Sequence, residues 1–477
     1  MDAFRRGHGR SLVPFSLLLV CLLALAFPQH ASAATTLVQL SSDPYTNSSS
    51  QHQTQVEPDS FSFGSTIVSA FQVGRIYGGG SSNIGWATSN DDGTTWTHGF
   101  LPGTTTFASP AGSFTAISDA SVAYDTAHTA WLISSLGITS SNTEVVVTSR
   151  STDGGHTWSN PITVASGSLD KNWIVCDNTS SSPYYGHCYT EWDRTSSSNL
   201  LQMSTSTNGG LTWGTAKATA GSNHGLGGQP LVQPSGTVIV PYLSSSNNIA
   251  AFTSTNGGTS WTSAVIVSSV SDHGVSGLRT EALPTAEIDG SGKVYVVWQD
   301  CRFESGCSAN DLVLSTSTNG TSWSAVTRIP IDAVGSGLDH IIPGLAVDKT
   351  TSGSSAHLGL AFYYCASTCQ LQVGFVSSTN GGSTWSAKTT LTTTPISLSW
   401  IANTSQGRMV GDYISTSFAN GKAFPIFAVA TAPSGSTFNE AMYTIGSGLT
   451  LANSTHAASS DHTSSTAHPA SVPATLR

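Results

Sequence analysis

Charge is scarce in this 477-residue chain: Asp, Glu, Lys and Arg together make up 9% of it. Bases are scarcest, with 17 Lys and Arg against 27 Asp and Glu. A surface short of positive charge does not suit phosphate backbones or anionic lipid, so no nucleic-acid and no membrane partner is expected. Convincing helical periodicity is absent after the first 33 residues. A second long apolar run is absent too, which leaves nothing to span a bilayer. CxxC and HxH spacings are missing, so neither a metal nor a cofactor is called for. Nothing resembles a sortase signal either, which leaves a structural or adhesion role resting only on the low-complexity C-terminal stretch.

What is present begins with an export-type leader. Arg5, Arg6 and Arg10 precede an apolar run from Ser11 to Phe27, and Ala31-Ser32-Ala33 offers a small-x-small cleavage pattern. A lipoprotein signal ending at Cys21 is the rival reading, opposed by the bulky Val20 before it. We expect residues 1–33 to be a signal peptide and the mature chain to be secreted. Without Asp2 and the three arginines, 26 acids face 14 bases. About 440 residues are too many for one sandwich, so a large closed architecture or several domains are required. Residues 34–451 are read as a single domain. Residues 452–477, rich in Ser, Thr, Ala and His, are read as a disordered tail.

Six cysteines follow the leader, in three local pairs: Cys176 with Cys188, Cys301 with Cys307, and Cys365 with Cys369. An even count in an exported chain predicts disulfides within those pairs; a metal site is the alternative.

One motif organises the rest. Ser-x-Asp/Asn-x-Gly-x-Thr/Ser-Trp occurs at Ser89–Trp96, Ser151–Trp158, Ser206–Trp213, Ser254–Trp261 and Ser378–Trp385, with a copy one residue shorter at Ser317–Trp323. Its tryptophans lie 62, 55, 48, 62 and 62 residues apart. The Asp or Asn accepts from backbone N–H groups just ahead, Gly supplies a positive φ, and Trp buries a large ring. Each copy sits between strand-like runs, so its acid is structural. Two further strand-like runs precede each copy, as in Leu283–Ile288 and Lys293–Trp298 around Asp289–Gly292. Four strands per repeat predict an all-β propeller of four-stranded antiparallel blades, with the motif turning between third and fourth strands. Seven units begin near Glu57, Ser118, Asp170, Gly228, Arg279, His340 and Gly411. The last lacks the motif, and residues 35–40 could supply its fourth strand. A six-bladed ring with an added hairpin is the other count.

In that geometry the starts of first strands and the second-to-third loops share one face. Those positions hold Glu57, Asp59, Asp119, Asp170, Lys171, Gln229, Arg279, Glu281, Asp339, His340, Asp412 and Tyr413, with Arg75, Asp193, Arg194, Asp300, Arg302 and Glu304 in or beside the loops. They form either a ligand site or an ion-pair network holding the channel mouth together.

The repeated motif resembles the bacterial neuraminidase repeat, or Asp-box. Val56–Phe61, Asp170–Val175, Tyr295–Arg302, Ile342–Asp348 and Met409–Tyr413 resemble exported bacterial proteins of the sialidase family. The resemblance implies three arginines gripping a carboxylate, filled by Arg279, Arg302 and Arg408. It also implies a tyrosine nucleophile with a glutamate, Tyr413 with Glu281, and an aspartate acid/base, Asp119 or Asp59. The family's Arg-Ile-Pro is absent; Glu57-Pro58 stands there, with Arg75 in the next strand. Two functions follow: a secreted sialidase-like glycoside hydrolase acting at the channel mouth, or a non-catalytic glycan- or protein-binding propeller. In either case the partner is a glycan or polysaccharide, or a protein, and a monomer is expected.

Overall fold

Strands of two to ten residues form where alternating apolar side chains are bounded by Gly, Asp or Asn turns. The computed structural model describes residues 36–452 and 455–459. The leader and most of the tail lie outside these residues. No helix among the described residues is long and apolar enough to cross a membrane.

The described chain is all-β, and its sheets are antiparallel. The first unit runs Gln55–Phe63, Thr66–Arg75, Ser81–Ser89 and Thr97–Phe100. The second runs Ala116–Asp125, Ala130–Ile138, Glu144–Ser151 and Ile162–Gly167. A single pair, Ser81 with Ile117, joins these two into one larger sheet. Four more units begin at Leu169–Cys176, at Gly225–Leu226 with Leu231–Val232, at Thr285–Ile288 and at Leu338–Val347. A last unit holds Ser415–Ala419, Lys422–Ala430 and Glu440–Ile445. Leu37–Gln39 completes it by pairing antiparallel with Glu440–Ile445, as expected for the orphan strand. No sheet among the described residues closes into a barrel.

First strands pack on one another in chain order, and Ser415–Ala419 packs back on Gln55–Phe63. Apolar side chains fill the spaces between neighbouring sheets. Tyr189 and Met203 meet Val240, Phe252 and Trp261, for example, while Val297 and Leu314 meet Leu358 and Phe362. This burial is the main stabilising term.

The repeated turn behaves as its chemistry requires. Ser151 Oγ donates to Asp153 Oδ1 at 2.7 Å and accepts from Gly155 N at 3.0 Å. Asp153 Oδ1 also accepts from Thr157 N at 3.0 Å, and Trp158 Nε1 donates to Gly155 O at 3.0 Å. Asn380 and Trp385 repeat the pattern. The three expected disulfides are formed. Within the segment read as tail, His456–Ala457 pairs with Thr384–Trp385, and Arg328 N donates to Ser459 O at 2.9 Å. Order therefore extends into the compositionally biased stretch, because exposed strand edges there accept it.

Candidate functional site

The first strands carry a bulge where they approach the centre. Their register slips between Val56 and Asp59, Ser118 and Ser121, Asp170 and Trp173, and Ile341 and Gly344. At each slip one non-glycine residue takes a left-handed φ: Glu57 at 55°, Asp119 at 50°, Lys171 at 51° and Ile342 at 50°. Such a conformation costs on the order of 1 kcal/mol and re-aims a side chain. Here it brings Glu57, Asp119 and Lys171 together.

Lys171 Nζ sits 3.6 Å from Asp119 and 3.8 Å from Glu57, and it donates to Asp412 Oδ2. Arg279 clamps the same Asp412 with two donors, Nε to Oδ1 at 2.7 Å and a second to Oδ2. Glu57 accepts from Gln72 Nε2 and, at 3.3 Å, from Asp412 N. All four ionisable positions besides Arg279 are at most 7% exposed. Burial alone would raise Asp412, but Arg279 and Lys171 hold it well below the usual carboxylate range. Burial pushes Glu57 up to about 8. Burial and then Asp119 push Asp170 up to about 6. Lys171 stays charged: burial works against it, and the three carboxylates outweigh that effect.

A recess of about 20 Å³ opens on this cluster, lined by Asp119, Lys171, Trp173, Gln229, Asp412 and Tyr413 among others. That volume holds about one water. The Tyr413 hydroxyl donates to Ala120 O at 3.1 Å, its ring meets Trp173 edge-on at 4.9 Å, and burial raises its phenol well above 10. Glu281 is close enough to feel Asp412, Lys171 and Arg279, yet no hydrogen bond joins it to Tyr413.

Of the other arginines, Arg408 and Arg75 adjoin the cluster, with Arg408 O accepting from Arg279 N at 2.7 Å and Arg75 acting on Glu57, Arg279 and Asp412, whereas Arg302 lies in a separate network. Arg302 Nε and one terminal nitrogen hold Asp300 at 2.9 and 2.7 Å, and the guanidinium also reaches Ser269 O. Arg408 donates to Ile401 O at 2.9 Å. Arg75 donates to Gly80 O at 2.6 Å, and to Met409 Sδ at 3.3 Å, behind Glu57. A carboxylate-gripping trio of Arg279, Arg302 and Arg408 is therefore not assembled. Asp59 Oδ2 accepts from Val122 N at 2.7 Å, Gln229 Oε1 from Ala286 N at 2.8 Å and Thr285 Oγ1 from Leu345 N at 3.1 Å. These three side chains stitch one unit to the next. Glu304 accepts from Gly335 N at 2.8 Å, and Asp339 from His273 Nδ1 at 2.9 Å, both away from the axis.

A second concavity escaped the sequence reading. Pro44, Tyr45, Asn47, Phe100, Phe107 and Ser109 line a groove of about 590 Å³ at the edge of the first unit. Asn83 Nδ2 fixes it by donating to the Tyr45 hydroxyl at 2.9 Å and to Leu101 O at 3.0 Å. Tyr45 and Phe100 meet edge to face at 5.4 Å, and Phe107 is 37% exposed. The available signal was an exposed aromatic in a Thr/Ser/Pro loop.

No family model and no curated protein matches the chain. Among solved structures it is similar to a Dyadobacter fermentans protein of unknown function, at 14% identity and TM-score 0.46, over 72% of this chain and 98% of that one. A Trypanosoma rangeli sialidase with the inhibitor DANA is similar at 10% identity and TM-score 0.44, over 82% of this chain and 55% of that one. An intramolecular trans-sialidase from Ruminococcus gnavus is similar at 13% identity and TM-score 0.39, over 79% and 91%. Likeness at this level says nothing of chemistry.

Proposed function

We propose that residues 34–451 form an exported propeller of seven four-stranded blades that binds glycans at its rim and does not hydrolyse them. The carrying observation is the axial cluster. Its carboxylates are committed to Lys171 and Arg279, and its recess has room for about one water rather than a sugar ring. Tyr413, buried and bonded to a main-chain carbonyl, is a poor nucleophile, Arg279 is held by Asp412, and Arg302 is spent on Asp300. The cluster acts as a hub that locks the blades together. Export is supported by the three disulfides.

Glycan binding is supported by the rim groove. Aromatic faces stack on the apolar C–H faces of sugars, while Asn47 and Ser109 offer hydrogen bonds to hydroxyls. A volume of about 590 Å³ suits one or two sugar rings. The hydrolase reading keeps one supporting observation. Glu57, protonated to about pH 8, adjoins the ionised Asp412, the pairing of acid and carboxylate that glycosidases use.

Fluorogenic glycosides, sialosides included, together with a glycan array, separate the two. The expected result is array binding that Phe107→Ala abolishes, with no sugar release. Release that Asp119→Asn removes would overturn the binding reading.

A further inference from the structure

Away from the axis, a second polar knot joins the fifth and sixth units. Asp311 opens the third strand of one, His340 lies in the first strand of the next, and Asp332 sits in the connection between them. One ligand-capable atom from each lies within 4.8 Å of the other two. His340 is fully buried, and its ring Nδ1 is 3.1 Å from Asn310 O. A carbonyl only accepts, so Nδ1 donates to it and Nε2 is turned inward as the ring atom able to ligate. Nε2 faces Asp332 Oδ2 at 3.3 Å. Neither atom has a hydrogen-bond partner, and Asp311 Oδ2 is buried without one as well.

Three lone-pair atoms left facing each other in a buried site repel unless a cation lies among them. The surroundings hold them there. Arg328 spans the two other carboxylate oxygens, Asp311 Oδ1 at 2.7 Å and Asp332 Oδ1 at 3.1 Å, and donates to Asp332 O at 2.9 Å. This is how outer partners orient metal ligands: a backbone carbonyl fixes the imidazole tautomer, and a donor on one carboxylate oxygen aims the other inward. Within this group two carboxylates and one guanidinium leave one net negative charge, with Lys388 also acting on Asp332 and Glu304 on the same set. A tetrahedral ion with bonds of ~2.0 Å places its ligands ~3.3 Å apart, the spacing seen between these two atoms.

The geometry points to a divalent-metal site of the zinc class formed by Asp311, Asp332 and His340, with a fourth position open to water. Imidazole nitrogen with two carboxylate oxygens suits Zn²⁺ and Co²⁺ better than Ca²⁺ or Mg²⁺, which prefer oxygen alone. The ion would pin the connection between the two units and leave the rim groove untouched.

Titrating the chelator-treated full-length protein with ZnCl₂ by calorimetry, and with CoCl₂ by visible absorption, tests this. We expect one ion per chain, the intense bands of four-coordinate Co²⁺, their loss on adding Zn²⁺, and a higher melting temperature with Zn²⁺. His340→Gln and Asp332→Asn should each weaken Zn²⁺ binding at least tenfold, whereas His273→Gln should not. Should either variant fail to fold, wild-type Co²⁺ protein decides, since its single ligated imidazole must give one paramagnetically shifted, exchangeable Nδ1–H signal. Absence of saturable binding, or equal affinity in the variants, overturns the proposal and leaves His340 as a plain polar partner of Asp332.

Discussion

Carboxylates occur in two settings in this molecule, at its centre and in its repeated turns, and the two behave oppositely. Asp91 and Asp153 are exposed, yet both are held at about 2. In Asp91 the Thr95 N–H leads the effect; in Asp153 burial is the largest single influence and works the other way, but the Thr157 hydroxyl and N–H, with Ser151 and His156 N, together outweigh it. Glu57 and Asp59 are buried and pushed up to about 8 and about 7, because lost hydration outweighs the donors they meet. The turn acids are conspicuous because they repeat, and their electrostatic task ends within five residues. The central acids follow no motif and join strands from opposite ends of the chain. Repetition thus marks architecture, while coupling between units falls on residues that occur once.

The sharpest way to break this contrast is to remove the shared cation. Lys171→Met leaves Glu57, Asp119 and Asp412 without their common partner, and a loss of about 3–5 kcal/mol in urea unfolding is expected. A change below about 1 kcal/mol would show that the cluster is not a hub.

Next comes pH. Asp59 has a folded pKa of about 7 against 3.8 for the free side chain, so its contribution is fully present below about 4 and lost as pH rises through 7. Asp59→Asn keeps an oxygen for Val122 N and should flatten that alkaline loss, by about 2–3 kcal/mol between pH 4 and 7.5. The turn acids carry the opposite sign: their contribution is present above 3.8 and lost as pH falls through 2. A single melting series across pH should therefore show both limbs, with Asp59→Asn shrinking only the upper one, to which Glu57 and Asp170 also contribute.

Asn380→Ala removes a side chain that accepts from Thr384 N at 2.9 Å and donates to its hydroxyl at 2.8 Å, and should cost about 1 kcal/mol in thermal unfolding. Smallest of all, Glu281→Gln should alter stability by less than about 0.5 kcal/mol and leave glycan binding unchanged. A larger effect would place Glu281 inside the hub.

Local features were readable in the residues. Each turn closes through contacts four residues apart, and each disulfide spans twelve residues or fewer, so pattern and chemistry coincide. The charged first-strand starts were also recognisable as one group, and Glu57, Asp119, Lys171, Arg279 and Asp412 do meet. Their roles were not readable. Lys171 and Asp412 are 241 residues apart, and what joins them is a left-handed residue in a bulge, which no composition signals. Arg302 was assigned to the axis, but Asp300, two residues before it, captures its guanidinium. Asp59 and Gln229 looked like ligand residues and instead accept from a neighbouring sheet's backbone. The rim groove lies in loops without period, and Asp332 in the knot with His340 belongs to a connection that no pattern set apart.

The last sheet has a consequence for how the protein comes into being. Its outermost strand is Leu37–Gln39, and Ser41 Oγ accepts from Met442 N, 401 residues further along. During synthesis that early segment has no partner until some 401 further residues have been made. The ring of packed sheets cannot lock before then, so productive folding waits until Glu440–Ile445 has been synthesised. A nascent chain halted short of Glu440 would carry an open sheet edge, the kind of surface that invites a chaperone or another copy of itself.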